Sequence, residues 1–147
     1  MTEISIWFDG GSRNNQSKES RQGYGSFLTL HNGKLVTMTI DRGTKDERRV
    51  SQCNLDLGKA TNNEAEWATF IAALTYAWSI QSHVDKPVEF TFHGDSQNVL
   101  GPFIDGNRVK SKNLKPLYEQ ALELVQAIEY VRFVKEDDKQ VKDILGH

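Results

Sequence analysis

From Ile4 to Asp9 the chain alternates, with Ile4, Ile6 and Phe8 on one face and Ser5, Trp7 and Asp9 on the other. This is the period of a half-buried strand, here ending at Asp9. Gly10, Gly11 and the polar stretch to Gln22 predict a loop, and Gly23-Tyr24-Gly25 leads into a second strand, Ser26 to Leu30. His31-Asn32-Gly33-Lys34 has the composition of a hairpin turn, so a third strand, Leu35 to Ile40, completes an antiparallel meander. Residues 41 to 60 are polar and fit an extended hairpin. From Asn62 to Ile80 the apolar spacing changes to three and four, which predicts a helix with Thr61 or Asn62 as N-cap. Val88, Phe90 and Phe92 then alternate with Glu89, Thr91 and His93 and lead into Asp95, the second strand to end in an aspartate. A helix over about Leu114 to Glu129, with Pro116 in its first turn, a strand at Tyr130 to Val134 and a short helix from about Asp138 complete the pattern. The apolar side of that last helix is Val141, Ile144 and Leu145. The order βββαβαβα predicts an α/β fold: a mixed five-stranded sheet with an antiparallel β1-β2-β3 meander, two parallel strands added by crossovers, and flanking helices.

At 147 residues and 37% hydrophobic content the chain suits one compact domain spanning 1–147. No internal repeat or low-complexity segment divides it, and it begins and ends as a free-standing protein is expected to. Neither a signal-peptide layout nor an apolar run of membrane-spanning length occurs, so a soluble, cytoplasmic protein is expected, without membrane association. A single cysteine, Cys53, excludes an internal disulfide and is expected to be a structural free thiol.

Three acids stand out: Asp9 in W-F-D-G-G-S, Glu66 in T-N-N-E-A-E and Asp95 in H-G-D-S-Q-N. Asp9 and Asp95 both lie opposite the aliphatic stripe of their strands. If those strands are parallel neighbours, about 4.8 Å apart, their C-terminal ends bring two carboxylates to the edge where open α/β sheets bind ligands. Carboxylates that close repel one another unless a cation joins them. All-oxygen ligands favour Mg²⁺ or Mn²⁺, and no His/Cys set has zinc spacing. The alternative reading of Asp9 and Asp95 is as turn formers at loop starts.

The net charge of −2 does not oppose a phosphate-bearing partner, because two divalent cations on four carboxylates would turn it to +2. Arg108, Lys110, Lys112 and Lys115 also fall within eight positions. That run reads either as a local phosphate contact or as a solvated loop.

Asp9-Gly10-Gly11-Ser12, Gly23-Tyr24-Gly25, Thr61-Asn62-Asn63-x-x-Glu66 and Asp95-Ser96-Gln97, in this order along nearly the whole chain, resemble the type 1 ribonuclease H family. The family spacing selects Glu66 over Glu64 as the catalytic acid, a choice that helical periodicity leaves open. The resemblance implies a fourth acid in the last helix. Asp143 is the best match, although Glu136, Lys139 and Lys142 stand where the family usually has Arg, Asn and Ala, and Asp138 and Asp137 are rivals. The histidine loop of many members is missing, with no histidine between His93 and His147, and so is the tryptophan-containing basic insertion. The chain is in this respect similar to the compact, archaeal-like enzymes.

The implied activity is hydrolysis of the RNA strand of an RNA/DNA hybrid, with two Mg²⁺ or Mn²⁺ ions held by Asp9, Glu66, Asp95 and Asp143, leaving 5′-phosphate and 3′-hydroxyl ends. Asn62, Asn63 and Gln97 would read the minor groove, where 2′-hydroxyls lie, with Gly11 and Ser12 near the RNA backbone. Thr61 and Asn113 would hold a DNA phosphate, and Lys110 and Lys112 would add charge. The two Asn residues also fit helix capping. A monomer without an obligate protein partner is expected. Two rivals are a binding module of this fold that does not cut, and other nucleases of the fold, which typically lack the T-N-N-x-x-E and D-S-Q pair.

Overall fold

The alternating apolar stripes of the central strands are buried where the sequence places them. The computed structural model describes residues 2–31, 34–35 and 52–146. Its first strand, β1 (Thr2–Arg13), pairs antiparallel with β2 (Gln22–His31) and parallel with β5 (Val88–Gly94), which in turn is parallel to β6 (Tyr130–Lys135). The far side of β2 is lined by two segments, β3 (Lys34–Leu35) and β4 (Gln52–Asp56), both antiparallel to it. Leu35 is opposite Leu30 and Gln52 is opposite Leu28, so both segments follow one edge of β2. The sheet thus has five strand positions, in the order β3/β4, β2, β1, β5, β6. Most of the expected third strand, the central pair of the hairpin turn before it, and residues 41 to 51 lie outside the described residues, as does His147. Among the described residues no helix is long and apolar enough to cross a membrane.

Two corrections concern the glycines. β1 does not end at Asp9 but continues to Arg13, and Gly10 and Gly11 pair with Gly25 and Tyr24. Glycine here permits close approach rather than a turn: a Cβ on Gly10 would lie 2.7 Å from both the Ala65 carbonyl oxygen and Thr69 Oγ1, and one on Gly25 would also collide with Thr69. The parallel pairing with β5 does stop near the acid, at Trp7 and His93. The second correction is an unexpected helix, α2 (Gln97–Ile104), which contains Gly101 and Pro102. A Cβ on Gly101 would come within 3.0 Å of the side-chain amides of Asn107 and Gln97.

The other helices follow the expected pattern: α1 (Asn62–His83), α3 (Lys115–Ala127) with proline in its first turn, and α4 (Asp138–Leu145). One face of the sheet, through Ile6, Phe8, Phe90 and Phe92, packs on Trp67, Phe70 and Leu74 of α1 and Ala121 of α3, forming the main core. The other face buries Trp7 and Leu28 against Val141 and Leu145 of α4. Asp9 shares the Trp7 face by strand parity, so it lies on the α4 side. Cys53 sits half-buried in β4 as a free thiol, with burial raising its pKa.

Candidate active site

Where the β1–β5 pairing ends, a cleft of about 370 Å³ opens, and among its lining residues are Asp9, Glu66, Asp95 and Asp138. Gly10, Gly11, Tyr24, Asn62, Ser96, Gln97, Asn98 and Lys142 complete the lining. Each acid arrives by a different local device. Asp9 comes from β1, just beyond its last partner on β5. Asp95 follows β5 directly, and Ser96 then caps α2 by accepting from the Val99 N–H at 3.2 Å.

Glu66 is presented by the start of α1. Thr61 is the N-cap and forms a capping box with Glu64, each side chain accepting from the other's backbone N–H at 3.0–3.1 Å. Glu64 is thereby used as a cap, and Glu66 is the glutamate that lines the cleft. Asn62 is not the cap. Its Oδ1 accepts from the Ser12 N–H at 3.0 Å, its Nδ2 donates to Glu66 Oε1 at 3.1 Å, and its own N–H donates to Asn15 Oδ1 at 2.7 Å. Asn62 therefore ties β1 to the catalytic-acid candidate while its other contacts secure the helix start.

Of the acids weighed for the last helix, the cleft is lined by the rival Asp138, the first residue of α4, and not by Asp143, which is exposed. The phase of α4 explains this: Val141 and Leu145 must face Trp7 and Leu28, and Asp143 lies about 140° around the helix from Asp138. The rival Asp137 is occupied as N-cap, accepting from the Gln140 N–H at 3.1 Å. Lys142, one turn after Asp138, donates from Nζ to Asp138 Oδ2 at 3.0 Å.

The electrostatics are those of crowded carboxyl groups. Asp95 is pushed up to about 7, first by burial, then by its hydrogen bond to Asp138 and by the charges of Asp9 and Asp138. Asp138, which accepts that bond and another from Lys142, is held below its ordinary value. Of the two, Asp95 is the one more readily protonated. Burial raises Glu66 as well, opposed by a hydrogen bond from Ser96 and assisted by the Asp9 charge. Among the described residues no three His, Cys, Asp or Glu side chains stand together as a ready-made ligand set. The donors nevertheless suit a hard divalent cation: all are carboxyl oxygens, and their crowding is unfavourable unless a cation joins them.

The remaining expected contacts divide. Gly11, Asn62 and Gln97 line the cleft, and Ser12 is joined to it through Asn62. Asn63 and Asn113 are exposed and line no described hollow, and Thr61 serves as the N-cap. Arg108, Lys110 and Lys115 line a second hollow of about 710 Å³ between α2 and α3, which Lys112 does not join. Tyr24, Ser96, Asn98 and Lys142 were not expected in the cleft. For Lys142 the signal was its position four residues after Asp138.

No protein-family model and no curated protein matches the sequence. Solved structures do match. The ribonuclease H1 of the halophilic archaeon Halobacterium salinarum NRC-1 is 21% identical with a TM-score of 0.72, covering 95% of this chain and 89% of that one. The N-terminal ribonuclease H domain of a Mycobacterium tuberculosis protein is 23% identical, with a TM-score of 0.69 over 95% and 91% of the two chains. The LC11 ribonuclease H1, solved in complex with an RNA/DNA hybrid, is 19% identical with a TM-score of 0.73 over 95% and 89%. By these likenesses, as by its strand order and flanking helices, the chain has the ribonuclease H fold.

Proposed function

We propose that the protein is a metal-dependent endoribonuclease that cleaves the RNA strand of RNA/DNA hybrids, leaving 5′-phosphate and 3′-hydroxyl ends. The observation that carries this reading is the meeting of Asp9, Glu66, Asp95 and Asp138 in one cleft whose lining includes Gly11, Asn62 and Gln97. The hybrid-bound LC11 structure supports the choice of substrate.

Two Mg²⁺ or Mn²⁺ ions would supply the Lewis acidity that activates a water and stabilises the leaving 3′ oxygen during in-line displacement. Asp9 would serve both ions, with Glu66 and Asp95 on the leaving-group side and Asp138 on the side of the attacking water. Asp95 must release its proton to take this role, and Lys142 must share Asp138. Asn62 holds Glu66 in place from the first turn of α1. Gly10 and Gly11 line the cleft where a sugar–phosphate backbone would pass, while the amides of Asn62 and Gln97 suit 2′-hydroxyls, which both donate and accept. Thr61, Asn63, Asn113, Lys110 and Lys112 are proposed as outer contacts to the hybrid, and the protein as a cytoplasmic monomer.

The deciding experiment offers labelled RNA/DNA hybrid, RNA/RNA and DNA/DNA with Mg²⁺, with Mn²⁺ and with chelator. Cutting of the hybrid's RNA strand alone, and only with metal, is expected. Binding of the hybrid without cutting in either metal would make the protein a non-cleaving module of the same fold.

A further inference from the structure

Two residues before Asp9, Asp95 and Asp138 stand Trp7, His93 and Glu136. Strand parity puts Trp7 on the face of Asp9 and His93 on the face of Asp95. Trp7 and His93 are register partners across β1 and β5, and their rings stack with centroids 4.3 Å apart and planes within 7°. His93 Nδ1 lies 2.9 Å from Glu136 Oε1, with the two side chains only 16% and 17% exposed. The Glu136 N–H donates to the Gly94 carbonyl at 2.7 Å, extending the β5–β6 register one residue past the end of β6. Two residues before three of the four carboxylates there is thus a continuous layer, Trp7 stacked on His93 and His93 bonded to Glu136.

We infer that the His93–Glu136 bond, braced by Trp7, is a positioning device that sets the separation of Asp95 and Asp138 for a divalent cation. The inference rests on reading the cleft as a cation site. Asp138 needs such a device because it has left the sheet and sits on a helix with only two buried residues, Val141 and Leu145. Asp95 is fixed by β5. The His93–Glu136 bond joins the two segments one step below the acids, so the distance between the carboxylates follows from it. Glu136 and His93 do not line the cleft and would act through their neighbours, as the outer partners of metal ligands do.

The test is titration calorimetry of the full chain with Mn²⁺, alongside hybrid binding in chelator and steady-state cleavage. Glu136→Ala should weaken Mn²⁺ binding and lower kcat by about 10–100-fold, with hybrid affinity unchanged. Glu136→Gln, which can still accept from the His93 ring N–H, should restore most of both. Mn²⁺ affinity at the wild-type level in Glu136→Ala overturns the inference. So does a Glu136→Gln variant that folds but binds Mn²⁺ no better than Glu136→Ala; if Glu136→Ala fails to fold, weak Mn²⁺ binding by Glu136→Gln overturns it instead. Asp9→Asn separates this from the broader reading. If it binds Mn²⁺ as the wild type does, the cation site itself is misplaced; if it does not, and Glu136→Ala does, only the positioning role falls.

Discussion

The starts of α1 and α4 each deliver one acid to the cleft, and they are built to different standards. Glu66 lies in a 22-residue helix with eight buried residues, a reciprocal capping box and an Asn62 bridge back to β1. Asp138 opens an eight-residue helix with two buried residues, an Asp137 N-cap without a reciprocal box, and Asp95 and an exposed lysine as its partners. One half of the cleft is therefore held by the main core, whereas the other half rests on a small cluster and a few polar bonds. The difference implies that the α1 half tolerates peripheral change and the α4 half does not.

Removing the acid on the strand between the two halves should have the largest effect. Asp9→Asn should reduce hybrid cleavage by more than the roughly 100-fold that loss of an outer partner brings, while hybrid binding in chelator persists. Single-turnover cleavage measures the first and a filter or anisotropy assay the second. Retained turnover would break the assignment of Asp9 to the cations.

The compliant half is next. Asp138→Asn should lower the cleavage rate by about 10–100-fold, because the remaining acids still bind a cation. Asp143→Asn, changing an exposed group outside the cleft, should stay within about twofold, as surface substitutions do. The reverse ranking in the same assay would show that the helix meets substrate in another phase.

This pair also marks where sequence reading reached its limit. Asp9 and Asp95 could be placed because alternation over a strand leaves only two faces, and T-N-N-x-x-E located Glu66 beside a recognisable cap. In α4 the apolar side of Val141, Ile144 and Leu145 was legible, but its phase relative to the cleft depends on packing against Trp7 and Leu28, which are distant in sequence. A family spacing with three departures then pointed to Asp143. The continuation of β1 was hidden because Gly10 and Gly11 have the composition of a turn, although α1 needs their missing side chains. Gly101-Pro102 concealed α2 in the same way. The His93–Glu136 bond spans 43 residues, and no local pattern could supply it.

Proton linkage sharpens the comparison at intermediate size. Without metal, Asp95 holds its proton up to about pH 7 in the folded protein, against an ordinary value of 3.8. Between those values the native state binds more protons than the unfolded one, so this group's contribution to stability is full below the lower value and is lost as pH rises to about 7. The difference in melting temperature between the wild type and Asp95→Asn, measured in chelator, should follow that trend. Because a cation must displace the same proton, Mn²⁺ affinity should rise by up to about tenfold per pH unit through this window and then level off. A flat profile from pH 5 to 8 would mean that Asp95 and Asp138 do not share a proton.

The smallest expected effects come from the two caps. Glu64→Ala breaks one arm of the α1 capping box and Asp137→Ala removes the α4 cap, and each should cost about 0.3–1.5 kcal/mol of local helix stability. In α1 eight buried side chains keep the first turn in place, so the loss should register as a lower melting temperature with cleavage unchanged. In α4 the residue after the cap is Asp138 itself, and two buried side chains resist fraying, so part of the same cost should emerge as a several-fold loss of cleavage. Asp137→Ser separates capping from charge, since serine caps comparably without a carboxylate. It should restore the rate if fraying is the cause. If Glu64→Ala and Asp137→Ala instead lower cleavage equally, the two halves are held alike and the contrast between them fails.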